Sequence, residues 1–182
     1  MTRLPLVGDD TGDQTLARVY DRVNTAVHHV PNLYRTLANA PNLLEAWIDF
    51  AWQLRNDAVT DRGLRELLIM RTAQLNGTKY EWTHHWAMAT ESGITEAQLT
   101  GLSGWRQSDA YSDTQRNVLA LADELAETTK VSDATWAKLQ SEFDERQLVE
   151  LVLTGAFYAC VSRVLGGLQV PLEDGYDQIP PL

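Results

Sequence analysis

The stretch RELLIMRTAQLNGTKYEWTHHWAMATESGI, residues 65–94, reads as two helices folded back on one another. Apolar residues recur at spacings of three and four, through Leu64, Leu67, Leu68, Met70 and Ala73 in one arm and Tyr80, Trp82, Trp86 and Ala89 in the other. Thr60 is placed to cap the first helix, which runs from Asp61 to about Leu75, and Asn76-Gly77 is a helix stop. The second helix runs from Thr78 to Glu91 and closes at Ser92-Gly93. So short a break folds the pair into an antiparallel hairpin, which turns Glu66 toward His85. Glu81 and His85 stand four apart, on one helical face, with about 5–6 Å between Cβ atoms. A carboxylate beside an imidazole fixes its tautomer and favours its protonated form, the arrangement a general acid or base needs near neutral pH.

Outward from the hairpin the pattern stays helical. Leu16, Val19, Tyr20, Val23 and Val27 form one stripe ending at Pro31, and a short helix follows through Leu33, Tyr34 and Leu37. Leu43, Leu44, Trp47, Ile48, Phe50, Ala51 and Leu54 make an apolar helix ending near Asn56-Asp57. Thr95-Glu-Ala-Gln opens another as a capping box, and Gly101 to Ser112 reads as a surface connection of low periodicity. Beyond it lie an amphipathic helix through Val118, Leu121, Ala122 and Leu125, one capped by Ser132-Asp133, and one from Leu148 to Leu165 that Gly166-Gly167 ends. The last is apolar on more than one face, which suits a central helix or one buried by a partner subunit. The tail from Pro171, PLEDGYDQIPPL, reads as extended chain wrapping a surface. An all-α single domain spanning 1–182 is expected.

Composition narrows the function. A formal charge of -10 with no Lys/Arg run argues against nucleic acid or an anionic membrane as partner. The N-terminus lacks the apolar core of a signal peptide, and no stretch approaches roughly 18 unbroken apolar residues, so a cytoplasmic protein is expected. Cys160 is the single cysteine. It permits no internal disulfide and no all-cysteine metal site, and its apolar helix points to a core position.

The hairpin resembles the signature of the carboxymuconolactone decarboxylase family, which shares its fold with the small alkylhydroperoxidases called AhpD-like. That family carries a Glu on one helix and Cys-x-x-Cys-x-x-x-His on the next, positions held here by Glu66, Thr78, Glu81 and His85. The Glu and His match, whereas both cysteine positions depart. Peroxide reduction needs one thiolate to attack and a second thiol to resolve the sulfenic acid, so hydroperoxide reductase activity is disfavoured. Glu followed four residues on by His is similar to the decarboxylase branch, which acts on a carboxylated lactone without metal or organic cofactor. The late aromatic-rich helix ending SRVLGGLQVPLE also looks like a family feature.

The resemblance implies an AhpD-like helical domain built round a central hairpin, assembled as a homo-oligomer (dimer, trimer or hexamer), that performs acid–base chemistry on a small-molecule substrate. His85 is then the principal acid/base, Glu81 its partner, and Glu66 the group that orients His85. A non-catalytic ligand-binding or structural oligomer of the same fold is the alternative. His84, about 100° round the helix from His85, is expected to pack or meet solvent. Glu81-Trp-Thr-His84 also spells the Glu-x-x-His element of di-iron bundles, but neither His28 nor His29 supplies the second copy, so no metal is expected. Tyr80, Trp82, Trp86, Trp47 and Tyr158 are candidates for an aromatic pocket, with Tyr80 and Trp86 foremost. Arg71 and Arg163 are the candidate cations for an anionic substrate.

Overall fold

The computed structural model describes residues 2–175 and 179–182, and among them every regular element is helical. The chain starts with α1 (Gln14–Val27), whose N-cap Asp13 accepts the Thr15 and Leu16 N–H groups at 2.8 and 3.0 Å. Next come α2 (Asn32–Leu37) and α3 (Pro41–Trp52). Leu16, Val19, Tyr20 and Val23 of α1 pack on Leu44 and Ile48 of α3. Where the apolar pattern predicts α3 to run on unbroken toward Asp57, the backbone widens instead into a single π turn, Gln53–Asp57.

The hairpin follows as α4 (Arg62–Leu75) and α5 (Lys79–Glu91). Gly77 turns left-handed at φ +63, the Thr78 N–H donates to Ala73 O at 2.9 Å, and the Gly77 N–H donates to Gln74 O at 3.2 Å. This pair of bonds is a Schellman closure, and it satisfies carbonyls that α4 would otherwise leave without partners. Gly93 repeats it after α5 at φ +92, with Ile94 N–H on Ala89 O at 3.0 Å. The N-cap of α4 is Asp61, whose carboxylate accepts Leu64 N–H at 3.0 Å. Thr60, expected in that role, instead donates its hydroxyl to Glu150 Oε2 at 2.6 Å.

The chain continues through α6 (Glu96–Thr100), α7 (Asp113–Glu127), α8 (Asp133–Gln140) and α9 (Glu145–Leu168). The capping box read from Thr95 is present with Gln98. Between α6 and α7, where the sequence suggests a surface connection, a 3₁₀ segment (Leu102–Gln107) buries Leu102 and Trp105 in the core. The central helix is α4 rather than α9. One side of it packs Leu67, Met70 and Ala73 against Trp82, Trp86 and Ala89 of α5, and Leu68 meets Val118, Leu121 and Leu151 of α7 and α9. Each such fully buried aliphatic side chain contributes about 1.5–3 kcal/mol of transfer free energy.

The glycine pair does not end α9, which runs through Gly166 and Gly167 to Leu168 and closes at Gln169 in the left-handed region (φ 51). By length and composition α9 is apolar enough to cross a membrane. Part of that apolar surface has an internal destination against α4 and α7, while Val149 and Leu153 stay exposed.

Two glycines separate packing from propensity. A Cβ at Gly63 would stand 2.8 Å from the Ser92 carbonyl oxygen, a backbone atom at the end of α5, whereas a Cβ at Gly166 would meet nothing within 4 Å. Gly63→Ala is expected to destabilise the protein by about 1–2 kcal/mol net of its helix-propensity gain. Gly166→Ala is expected to stabilise it by about 0.5–1 kcal/mol. Urea unfolding of both variants beside the parent checks the opposite signs.

Candidate active site

The α4–α5 turn sets the register that brings Glu66 to His85. His85 Nδ1 lies 2.7 Å from Glu66 Oε2, and the other Glu66 oxygen forms an ion pair with Arg62, one turn earlier on α4. On the far side of the ring, His85 Nε2 lies 3.4 Å from Glu81 Oε2. Glu66 is fully buried, and Glu81 and His85 are each 5% exposed. Because the ionised Glu66 can only accept, the network assigns the imidazole proton to Nδ1 and leaves Nε2 as the ring atom that faces Glu81.

The two carboxyl groups are pushed in opposite directions. Burial would raise Glu66, but His85, which hydrogen-bonds it, together with Arg62 and Arg55 holds it below the ordinary carboxylate range. Burial raises Glu81, with the negative charges of Glu66 and Glu173 adding to it and His85 and His84 opposing. One carboxylate is kept ionised behind the histidine while a carboxyl with raised proton affinity sits in front of it, a separation that marks acid and base roles.

Glu81 and His85 open onto a chamber of about 100 Å³ walled by Tyr34, Trp47, Trp52, Tyr80, Phe157 and Tyr158. Tyr158 meets the His85 ring edge-on at 4.9 Å. An outer cavity of about 180 Å³ shares Pro31, Tyr34, Trp52, Arg55, His84 and Met88 with the inner one. Arg55 comes from the π turn, whose carbonyls lack regular helical partners. Arg65 donates to Leu54 O, Arg62 to Arg55 O at 2.9 Å, and Arg146 to Asp57 O at 3.0 Å. These three guanidinium groups satisfy carbonyls that a helix end leaves orphaned.

The tail closes one wall. Glu173 accepts from Asn32 N–H at 2.5 Å and Tyr80 Oη at 2.7 Å, and its other oxygen pairs with His84 Nε2 at 2.6 Å. Burial works against its ionisation, yet His84, the Asn32 amide and Tyr80 pull its pKa down to about 2. Farther on, Trp82 Nε1 donates to Pro180 O at 2.8 Å. The tail residues 176–178 lie outside the described residues.

Of the residues singled out in the sequence, Glu66, Glu81, His85 and Tyr80 come together here, with Tyr80 presenting its ring to the chamber and its hydroxyl to Glu173. Trp47 and Tyr158 line the chamber as well, but Trp82 and Trp86 do not, being packed in the α4–α5 core. Arg71 is spent on Asp123 (2.6 Å) and Gln74 (2.6 Å), and Arg163 is exposed on α9 with its guanidinium on Ala159 O. Neither cation reaches the chamber. Cys160, expected in the core, is exposed beside Arg163 over a separate surface hollow. His84 lines both cavities and stacks on Tyr80 at 4.3 Å. Sequence reasoning missed Arg55, Trp52, Phe157 and Glu173. The first three carry no local signal, and the nearest hint of the fourth was an acidic residue in a tail read as surface wrapping. Among the described residues no three His, Cys, Asp or Glu side chains gather as metal ligands.

An all-helical domain centred on a Glu–His hairpin defines a class, and comparison with known proteins shows what it is similar to. Residues 41–124 match the model of the carboxymuconolactone decarboxylase family. The chain is 28% identical over 116 residues to the uncharacterized protein YdfG of Bacillus subtilis (strain 168), covering 63% of this chain and 78% of that one. A peroxidase-related protein from Silicibacter sp. TM1040 has a similar fold, with TM-score 0.83, 18% identity and coverage of 97% and 94% of the two chains. For an alkylhydroperoxidase AhpD core protein from Ralstonia eutropha JMP134 the values are 0.81, 19%, 96% and 94%. The debrominase Bmp8, solved in complex with 2,3,4-tribromopyrrole, superposes at TM-score 0.78 with 17% identity, covering 96% and 95%. Residues 41–124 thus resemble the carboxymuconolactone decarboxylase family, and the chain has the AhpD-like fold, with Thr78 and Glu81 where the resemblance places a Cys-x-x-Cys pair.

The opposite shifts of the two carboxyl groups dictate opposite pH behaviour. Glu66, lowered on folding, contributes stability that is complete above the ordinary carboxylate pKa and is lost as pH falls through its folded value. Glu81, raised on folding, contributes stability that is complete below the ordinary value and is lost as pH rises through its folded one. Glu81→Gln is therefore expected to gain stability relative to the parent as pH rises. Glu66→Ala, which strands Arg62 and His85, is expected to cost about 3–5 kcal/mol near neutral pH. Urea unfolding across a pH series reads both effects.

Proposed function

We propose that this protein is a cofactor-independent acid–base enzyme acting on a small carboxylated lactone or a related carbonyl compound. The observation that carries this reading is His85 held between Glu66, kept low by its cations, and Glu81, raised by burial, on the wall of an aromatic chamber. Resemblance to a family named for a decarboxylase supports it, and so does a fold shared with a debrominase.

In a decarboxylation the bond from carbon to carboxylate breaks, CO₂ leaves, and the electron pair passes into the neighbouring carbonyl as an enolate. Glu81 donates its proton to the enolate carbon; His85 Nε2 then takes a proton from water to form a transient imidazolium and passes it to the Glu81 carboxylate, which restores both groups. Glu66 holds the imidazole in one orientation throughout, and its charge favours the transient imidazolium. The surrounding aromatic rings keep the dielectric low, which strengthens each of these interactions. Peroxide reduction is disfavoured because Thr78 and Glu81 offer neither an attacking nor a resolving thiol, and Cys160 lies on another face.

A screen of carboxylated lactones and β-keto acids, with a hydroperoxide as control, tests the reading. His85→Gln and Glu81→Gln are expected to lower kcat by roughly 10²–10⁴-fold while retaining the fold. The parent rate is expected to fall as pH rises through the raised Glu81 pKa, because the ionised form cannot donate. Full activity in both folded variants sinks the acid–base assignment. Ligand binding without turnover of any compound points to a non-catalytic binding protein, and cysteine-free consumption of hydroperoxide would return the protein to the peroxidase class.

A further inference from the structure

Arg55 lines both the inner chamber and the outer cavity, at the passage between them. Its half-buried guanidinium donates to the Met88 sulfur at 3.2 Å, a thioether that is a weak acceptor for a group with five N–H donors. Among the described residues no carboxylate lies within ion-pair distance of it. The nearby cations are otherwise engaged. Arg62 pairs with Glu66 and caps the Arg55 carbonyl, while Arg65 caps Leu54 O and donates to Thr60 O at 3.1 Å. On the anionic side, Glu66 is shared between Arg62 and His85, and Glu173 is satisfied by Asn32, Tyr80 and His84.

Shape sets the rest of the ligand. The inner chamber, about 100 Å³ and walled by rings, is smaller than the apolar cavity of about 150 Å³ that accepts benzene, so it takes at most one small ring, whose substituent reaches into the adjoining cavity of about 180 Å³. Trp47, Trp52, Phe157 and Tyr158 supply the faces and edges that such a ring packs against.

We propose that Arg55 is the anion seat of this site, so that the ligand is a single planar ring bearing a carboxylate in addition to the group that reacts, with the ring in the inner chamber and that carboxylate on Arg55. The inference rests on the acid–base reading for what happens to the ring, but the seat itself is a matter of binding. It also assigns the fate of that carboxylate. Pairing with a guanidinium stabilises the carboxylate in the ground state and opposes its loss, so the group on Arg55 is a handle that stays on the product. The carboxylate lost as CO₂ is a second one, at the end of the ring beside Glu81 and His85, where Glu81 protonates the carbon it leaves.

Benzoate and its neutral isostere benzamide are the probes, titrated by tryptophan fluorescence, because Trp47 and Trp52 line the chamber. The parent is expected to bind benzoate about tenfold or more tightly than benzamide, the advantage of a charge-assisted hydrogen-bonded pair. Arg55→Gln is expected to abolish that preference while leaving benzamide affinity unchanged, and His85→Gln is expected to keep it. Equal binding of the two probes by the parent, binding of neither, or a preference that survives in Arg55→Gln each overturns the proposal. If Arg55→Gln does not fold, Arg55→Met is titrated in its place, and the parent comparison still decides by itself. The two readings fail separately. Loss of the seat with His85-dependent turnover intact leaves the acid–base enzyme standing, whereas an Arg55-dependent anion preference beside unimpaired His85→Gln turnover leaves only the seat.

Discussion

A fully buried, ionised carboxylate at Glu66 is the constraint round which the hairpin is organised. Desolvating such a group costs several kcal/mol, and only close cations with good geometry offset that cost. Arg62 supplies one from the same helix, where spacing of four residues guarantees the encounter. His85 adds a hydrogen bond from the opposite arm, and that encounter exists only if α4 and α5 pair in one register. The Schellman turn at Gly77 delivers the register, and the Leu67, Met70, Trp82, Trp86 interface holds it. A slip along the hairpin would leave Glu66 in the core without its hydrogen bond from His85. That hydrogen bond therefore adds specificity to a contact whose stability comes from apolar packing.

The same helix then distributes proton affinities. On α5, Glu81 and His85 face the chamber from adjacent turns, while Tyr80 and His84, also four apart, hold Glu173 of the tail. Glu173 and Glu81 are both removed from water, yet the first has three donors and the second has none closer than His85 Nε2 at 3.4 Å. Hydrogen-bond donors to the charged form decide the difference, and they leave one carboxylate pinned at about 2 and the other raised. Structural anchoring and chemical readiness thus come from the same residue type in two settings a few side chains apart.

How far each feature was legible in the sequence depended on how local its signal is. The Asn76-Gly77 stop and the i,i+4 spacing of Glu81 and His85 are written in a few consecutive letters, and the placement of Glu66 comes from folding the hairpin shut. Arg55 was hidden because a π turn has no compositional mark. One extra residue in the turn re-phases the residues after it, so a position on the continued helix of α3 becomes a wall of the cavity. Trp86 misled for the opposite reason: it belongs to the Trp82 stripe that faces α4, and helical spacing alone does not say which stripe is core and which is pocket. Arg71 and Arg163 were chosen by charge, and charge carries no direction. Asp123, which takes Arg71, lies 52 residues away. Glu173 reaches His84 across 89 residues, a contact that no local pattern encodes.

Against the family's pattern, the frame of this site is retained while its reacting atom is exchanged. Where the pattern carries its second cysteine, Glu81 places a carboxyl oxygen 3.4 Å from His85 Nε2. The Glu66–His85 pair does not depend on that choice, because it uses Nδ1 and is anchored by Arg62 behind it. A thiol at position 81 would need the imidazole to draw off its proton. For the buried carboxyl that stands there, burial and the charges of Glu66 and Glu173 oppose ionisation. On the proposed acid–base reading, the same histidine, held by the same glutamate, replenishes an acid rather than activating a nucleophile.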